Sequence, residues 1–246
     1  MPNPAPARGG PAYSRLFDRA LGLAAIVHRH QVRKGTPVPY VTHPFHVAMI
    51  LERHGYAERF LVAAVLHDVL EDVRADDARL REALRETFPG GFSDAPEDPA
   101  GFVAALDRFL ENEFGPKVAT LVRGVSDRKV EAGRRLTTAE KRTRKLAELR
   151  NTATDPDVLV LKAADAIHNA RSTADDLQAC GPRVMERFKA GPAETLQWYV
   201  DIRAVAAVRI SDRHMAIVAE LSAAVSALAK EIGKLDVRSQ KPEVGA

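Results

Sequence analysis

Seven apolar residues, Phe60 to Leu66, run directly into His67-Asp68-Val69-Leu70-Glu71-Asp72, and no lysine or arginine occurs between Leu61 and Asp72. On a helix, residues three and four apart share a face. His67, Asp68, Glu71 and Asp72 then occupy one arc, and Val62, Val65, Leu66, Val69 and Leu70 fill most of the rest. Ala64 lies on the acidic arc and leaves room beside it. Carboxylates entering an apolar helix are costly unless positive charge sits against them. Two accounts fit the run by itself. One is an amphipathic helix with a solvated acidic face. The other is a bound metal cation, which points to metal-dependent hydrolysis.

Composition narrows the fold. Aromatics are sparse (6%) and Ala, Leu, Val and Arg dominate, which favours helices over a sandwich or barrel. With 246 residues and 46% hydrophobic content, one sizeable core is affordable. The net charge of +3 is compatible with a phosphorylated ligand and too weak to indicate nucleic acid. A single cysteine, Cys180, excludes an intrachain disulfide or a Cys-rich zinc site. The Pro/Gly/Ala-rich opening lacks the apolar stretch of a signal peptide. No run approaches the roughly 18 apolar residues that span a membrane. A cytoplasmic protein is expected.

Nearly all of the ordered chain reads as helix. Apolar spacing predicts helices over 14–30, 43–55, 57–72, 76–88, 101–114 and 116–126, with loops at 31–42 and 89–99. Thr137-Thr138-Ala139-Glu140 has a capping-box pattern opening a charged helix to Arg150. A long helix from Asp157 is stopped by Gly181-Pro182, and two more cover about 193–210 and 212–234. Only Val158 to Leu161 hints at a strand. The expectation is one all-α domain over residues 13–236, with a mostly helical C-terminal extension and disordered tails at 1–12 and 237–246.

Two further segments bear on the opening run. His43-Pro44 opens a helix just after Pro39-Tyr40. Lys162, Asp165 and Asn169 form a polar stripe on a helix otherwise almost wholly apolar from Val158 to Ile167. A buried aspartate needs a partner. Lys162 could be that partner, which would be a structural role. Alternatively, two histidines and two aspartates from three helices make a mixed nitrogen–oxygen site for a divalent ion: Mn²⁺ by preference, Fe²⁺ or Zn²⁺ otherwise.

Five ordered motifs carry a resemblance. His28-Arg29-His30-Gln31-Val32-Arg33-Lys34 matches H-x-x-Q-x-R-K, Pro39 to Pro44 matches PYxxHP, and His67 to Asp72 matches HDxxED. Phe114 to Asp127 is similar to FGxxVAxLVxxVTD, and Lys162 to Arg171 to KxxDxxxNxR. In this combination the chain resembles HD-superfamily phosphohydrolases, and more narrowly the (p)ppGpp hydrolase domains of RelA/SpoT type and their stand-alone relatives. The resemblance covers about residues 28–200. It implies metal ligation by His43, His67, Asp68 and Asp165, and water activation by Glu71 and Asp72. It implies nucleotide contacts from Arg33, Lys34 and Asn169, with Lys162, Arg171 and Tyr199 as further candidates. The implied reaction converts ppGpp to GDP and pyrophosphate. Rival readings are an HD phosphatase for an adenine alarmone or another nucleotide, and a non-catalytic nucleotide sensor. No nucleic-acid or membrane partner is expected, and a homo-oligomer is compatible with the sequence.

The chain departs from the family pattern in places. The loop Arg33 to Tyr40 is one residue longer than the commonest form, Val73 replaces a usual Thr, and Ala166 replaces a frequent basic residue. Residues 89–112 are an extra segment. Among lesser features, Arg128 to Arg150 carries nine Lys/Arg against three Glu and reads as a solvated helix that brings one or two of Lys129, Lys141 and Arg142 near the site. His28 and His168 read as structural. Arg171 is balanced between substrate phosphates and an i+4 pair with Asp175. Trp198-Tyr199 reads as pocket wall or core anchor.

Overall fold

The computed structural model describes residues 14–127, 130–131 and 134–239. The helical expectation holds, and the caps set the boundaries. The Ser14 hydroxyl accepts from the Phe17 N–H to open α1 (Arg15–Val27). The predicted capping box at Thr137 and Glu140 opens α8 (Thr138–Arg150). Pro156 in the first turn and Gly181 at φ 76° bracket the 25-residue α9 (Pro156–Cys180). The strand-like Val158 to Leu161 is the start of α9, with all four side chains buried. Helices α2 (Thr42–Arg53), α7 (Pro116–Val125), α10 (Pro192–Arg209) and α11 (Met215–Ser239) pack around α9, and α3 (Glu58–Leu66) lies against α1, α2 and α7. Helix α11 covers residues 237–239, which were expected in a tail. The expected tail at 1–12, the basic residue Lys129 and residues 240–246 lie outside the described residues.

One predicted helix is broken where it matters. The span 57–72 divides into α3, a turn at His67–Asp68, and α4 (Val69–Asp72). The His67 Nδ1 lies 2.7 Å from the Ala64 carbonyl, the acceptor a continuous helix would offer to the Asp68 N–H. The imidazole takes that acceptor, and the helix restarts one residue after Asp68. A second difference is minor: a two-residue hairpin, β1 (Val130–Glu131) against β2 (Arg134–Arg135), precedes α8.

The segment over residues 89–112 has its own packing. Between α5 (Ala78–Thr87) and α6 (Pro99–Phe114), Phe92 is buried against Phe102 and Phe109, with ring centroids 5.8 and 4.7 Å away, and Phe88 meets Phe109 at 5.3 Å. Such offset and edge contacts add to the area they bury. The predicted loop 89–99 is therefore anchored to α6 by an aromatic cluster, and α6 in turn packs on α7.

The close approach of α7 to α9 can be tested at Gly124. A β-carbon there would stand 2.5 Å from Val158 Cγ2, on a stiff, buried side chain. Overpacking of this kind costs about 1–3 kcal/mol and outweighs the roughly 1 kcal/mol that alanine gains over glycine in a helix. Gly124→Ala should lower stability in urea unfolding, and a variant as stable as the parent would refute the close approach. The cap of α8 is testable through pH. Glu140 accepts from Arg134 and from Thr137, and these bonds hold its carboxyl at about 2. The folded value is depressed, so its contribution is present above the unfolded value of about 4.3 and lost as pH falls towards 2. The melting-temperature gap between parent and Glu140→Gln should close between about pH 6 and pH 2.5. A constant gap would show that the charge plays no part.

Candidate active site

Three pieces of backbone converge on one buried cluster. His43 comes from the first turn of α2, His67 and Asp68 from the break between α3 and α4, and Asp165 from the middle of α9. His43 Nε2 stands 3.3 Å from Asp165 Oδ1 and 3.7 Å from Asp68 Oδ2. His67 Nε2 stands 3.0 Å from Asp68 Oδ2 and 3.9 Å from Asp165 Oδ1. Ligand atoms of His43, His67 and Asp68 lie within 4.8 Å of one another. Donors about 2.1 Å from a common cation stand roughly 3–4 Å apart, so the spacing and the nitrogen–oxygen donor set both fit a divalent transition metal. Asp165 adjoins this triad, but both its oxygens are engaged: Oδ2 accepts from Lys162 Nζ at 2.9 Å and Oδ1 from Asn169 Nδ2 at 2.6 Å.

The electrostatics follow from burying opposite charges together. Burial opposes charge on His67, but the carboxylates of Asp68 and Asp165 outweigh it and raise its pKa to about 9. Burial keeps His43 below its ordinary value despite the same carboxylates. Burial would raise Asp68, yet His67 and His43 hold it well below the usual carboxylate range. For Asp165 burial is again overcome, chiefly by the Lys162 ammonium. Tyr40 donates to Asp68 Oδ2 at 2.6 Å, and burial beside Asp68 and Asp72 pushes its own pKa far up, so it stays a donor.

A cleft of about 460 Å³ opens beside the cluster. Its floor is formed by Tyr40, His168 and Asn169, each hydrogen-bonded to a member of the cluster. Four basic side chains line it, Arg33, Lys34, Arg142 and Arg187, against one carboxylate, Asp176, which Arg187 pairs at 2.6 Å. Trp198 and Tyr199 form a wall. Arg142 and Lys162 both lie over the Trp198 ring, 5.6 and 5.8 Å from its centroid. Burial pushes Tyr199 up to about 12, so its hydroxyl keeps its proton.

The structure brings most of the predicted residues together. Arg33 donates to Asn169 Oδ1 at 3.0 Å, which joins the loop before α2 to α9. Glu71 Oε2 accepts from the Asp127 N–H at 3.2 Å, just past the end of α7. Asp72, beside it on α4, is near enough to Tyr40 and His28 to bias their protonation. Arg171 is not brought to the cleft. It lies two residues beyond Asn169, about 200° around the axis, and pairs with Glu220 of α11, with Asp175 playing no part in that bond. Glu220 also receives Arg53 and His54, so it ties α2, α9 and α11. His28 is the buried residue expected, bonded to Gln31 at 2.6 Å. Sequence reasoning missed Arg187, which no local pattern marks, and assigned His168 only a structural part although it faces both cleft and cluster.

Lys162 supplies the positive charge that the cluster contains apart from its histidines. Removing one partner of a buried ion pair costs about 3–5 kcal/mol. Lys162→Met should lose that much in urea unfolding with chelator present. A loss below about 1 kcal/mol would show that Asp165 does not depend on Lys162.

Comparison with known proteins bears on the family. The HD domain model matches residues 20–94 and 92–189. A probable GTP pyrophosphokinase of Mycobacterium leprae is 36% identical over 160 residues, 64% of this chain but 16% of that one. The chain thus spans about a sixth of the length of this relative. The guanosine-3′,5′-bis(diphosphate) 3′-pyrophosphohydrolase MESH1 of Drosophila melanogaster is 32% identical over 173 residues, covering 69% of this chain and 73% of that one. A solved structure described as a metazoan ortholog of SpoT that hydrolyzes ppGpp superposes with a TM-score of 0.57 at 25% identity, over 86% of this chain and 96% of that one. With most of its length matched by the family model and its His-Asp cluster assembled, the chain belongs to the HD domain family.

Proposed function

We propose that this chain hydrolyses guanosine 3′,5′-bis(diphosphate) to GDP and pyrophosphate, with a divalent cation, Mn²⁺ by preference, held by His43, His67, Asp68 and Asp165. The observation that carries the reading is the junction of a two-histidine, two-aspartate cluster with a cation-rich, aromatic-walled cleft, through Tyr40, His168 and Asn169. The names of the relatives agree with it. A cation bound there supplies a water of lowered pKa and polarises a phosphoryl oxygen.

The chain's own groups do the rest. Arg33 and Lys34 meet the base or its phosphates at the cleft mouth, with Arg142 and Arg187 adding charge for the second diphosphate. Asn169, already bridging Arg33 and Asp165, contacts the ribose side. Tyr199 walls the pocket and Lys162 balances Asp165. Glu71 and Asp72 orient the attacking water and take its proton. The water oxygen bonds to the phosphorus nearest the ribose, the bond from that phosphorus to the 3′-oxygen breaks, and the 3′-oxygen leaves with the proton that the Glu71–Asp72 pair took from the water. Arg171 is left out of this account because it is held by Glu220. On this reading the protein works in the cytoplasm and removes a stringent-response alarmone. No helix among the described residues is long and apolar enough to cross a membrane.

The test is incubation of the purified chain with Mn²⁺ and guanosine 3′,5′-bis(diphosphate), with products separated by anion exchange. GDP and pyrophosphate should accumulate, and Glu71→Gln should lower kcat by about 10²–10⁴-fold. Product no greater than that of an Asp68→Asn control would overturn the proposal. Turnover of a different nucleotide in a parallel panel would redirect it to the rival phosphatase.

A further inference from the structure

The two histidines of the cluster are held in different ways. His67 Nδ1 faces the Ala64 carbonyl at 2.7 Å. A carbonyl can only accept, so His67 carries a proton on Nδ1, and Nε2 is the nitrogen that faces the carboxylates. His43 has no such fixed partner. Its Nδ1 lies 2.8 Å from His168 Nδ1, and an imidazole nitrogen can donate or accept. His168 is three residues beyond Asp165 on α9, so it shares that residue's face. Its other side stacks on His46, centroids 5.2 Å apart and rings 20° from parallel, which holds its plane.

Two ring nitrogens 2.8 Å apart have room for one proton between them, which leaves two arrangements. In one, His168 donates to His43 Nδ1, and His43 Nε2–H points at Asp165 Oδ1, 3.3 Å away. In the other, His43 Nδ1–H donates to His168, and the His43 Nε2 lone pair faces the carboxylates. The first suits a cluster without a cation, because a donor meets an anion. The second is required for ligation, because a nitrogen bearing a proton cannot bind a metal. We propose that His168 is a positioning residue for the metal centre: it accepts the His43 Nδ1 proton when a cation binds, and so fixes the tautomer that presents Nε2. A ligating histidine almost always gives its second N–H to a carboxylate, carbonyl or water. Here the acceptor is an imidazole that can also supply the opposite bond in the absence of a cation. His168 lines the cleft as well, so it separates the nucleotide space from His43.

The inference rests on the proposed ligand role of His43, and the experiment separates the two. Mn²⁺ affinity is measured by competition with a fluorescent chelator for the full chain, His43→Gln, His168→Leu and His168→Asn, with thermal melts of each. His168→Leu should weaken Mn²⁺ binding about 10–100-fold. His168→Asn, whose amide can accept or donate at the position of Nδ1, should restore most of it. If the His168→Leu variant binds Mn²⁺ as tightly as the parent while His43→Gln binds weakly, the role of His168 alone is overturned. Unchanged binding by His43→Gln would overturn the ligand assignment beneath it. Should the leucine variant fail to fold, ¹⁵N spectra of the Zn²⁺-loaded parent decide: a proton on His43 Nδ1 and none on His168 Nδ1 is expected, and the reverse refutes the proposal.

Discussion

The buried carboxylate of Asp165 is the constraint on which the rest of the site depends. A lone carboxylate on a helix as apolar as α9 would be driven to its neutral form. It stays charged because Lys162, Asn169, His43 and His67 surround it. These groups come from α2, the end of α3 and α9, so satisfying one charge requires three helices to meet. Lys162 and Asn169 sit one turn to either side of Asp165, so α9 brings part of the solution itself. The two histidines must come from elsewhere, and the packing of α2 and α3 on α9 delivers them.

The break at His67 extends the same logic. A continuous helix would carry Asp68 around with its neighbours, whereas a turn at this point lets two consecutive residues face one cluster. The imidazole that captures the Ala64 carbonyl thus shapes the backbone and fixes the orientation of its own ring with a single hydrogen bond. The Glu220 tie supports this arrangement from behind. It fastens the end of α2, whose first turn carries His43, to α9 and α11.

Much of this is legible in the sequence, for identifiable reasons. Helices follow from apolar spacing and from caps such as Thr137 with Glu140, which are local. The cluster residues stand out because His, Asp and Glu in apolar surroundings have few bland explanations. The helix break is not legible, since it depends on one side chain competing for a carbonyl rather than on any residue preference. Arg187 reaches the cleft through an irregular 3₁₀ turn, Pro182–Arg187, that no periodicity announces. The mark of His168 in the sequence is its spacing of three from Asp165, which puts the two on one face of α9. Arg171 shows the converse, since its position relative to Asn169 already turns it from the cleft.

The loop before α2 is held at both ends of its span. Val32 bridges to Pro39, the Arg33 N–H donates to the Val38 carbonyl at 2.8 Å, and Arg187 donates to the Lys34 carbonyl at 2.6 Å from 153 residues away. Gly35, at φ 72°, makes the turn between them. The entropy of ordering this loop is therefore lost during folding rather than on encountering a ligand. A cleft edge so preorganised keeps its shape before any molecule arrives and selects by fit at first contact.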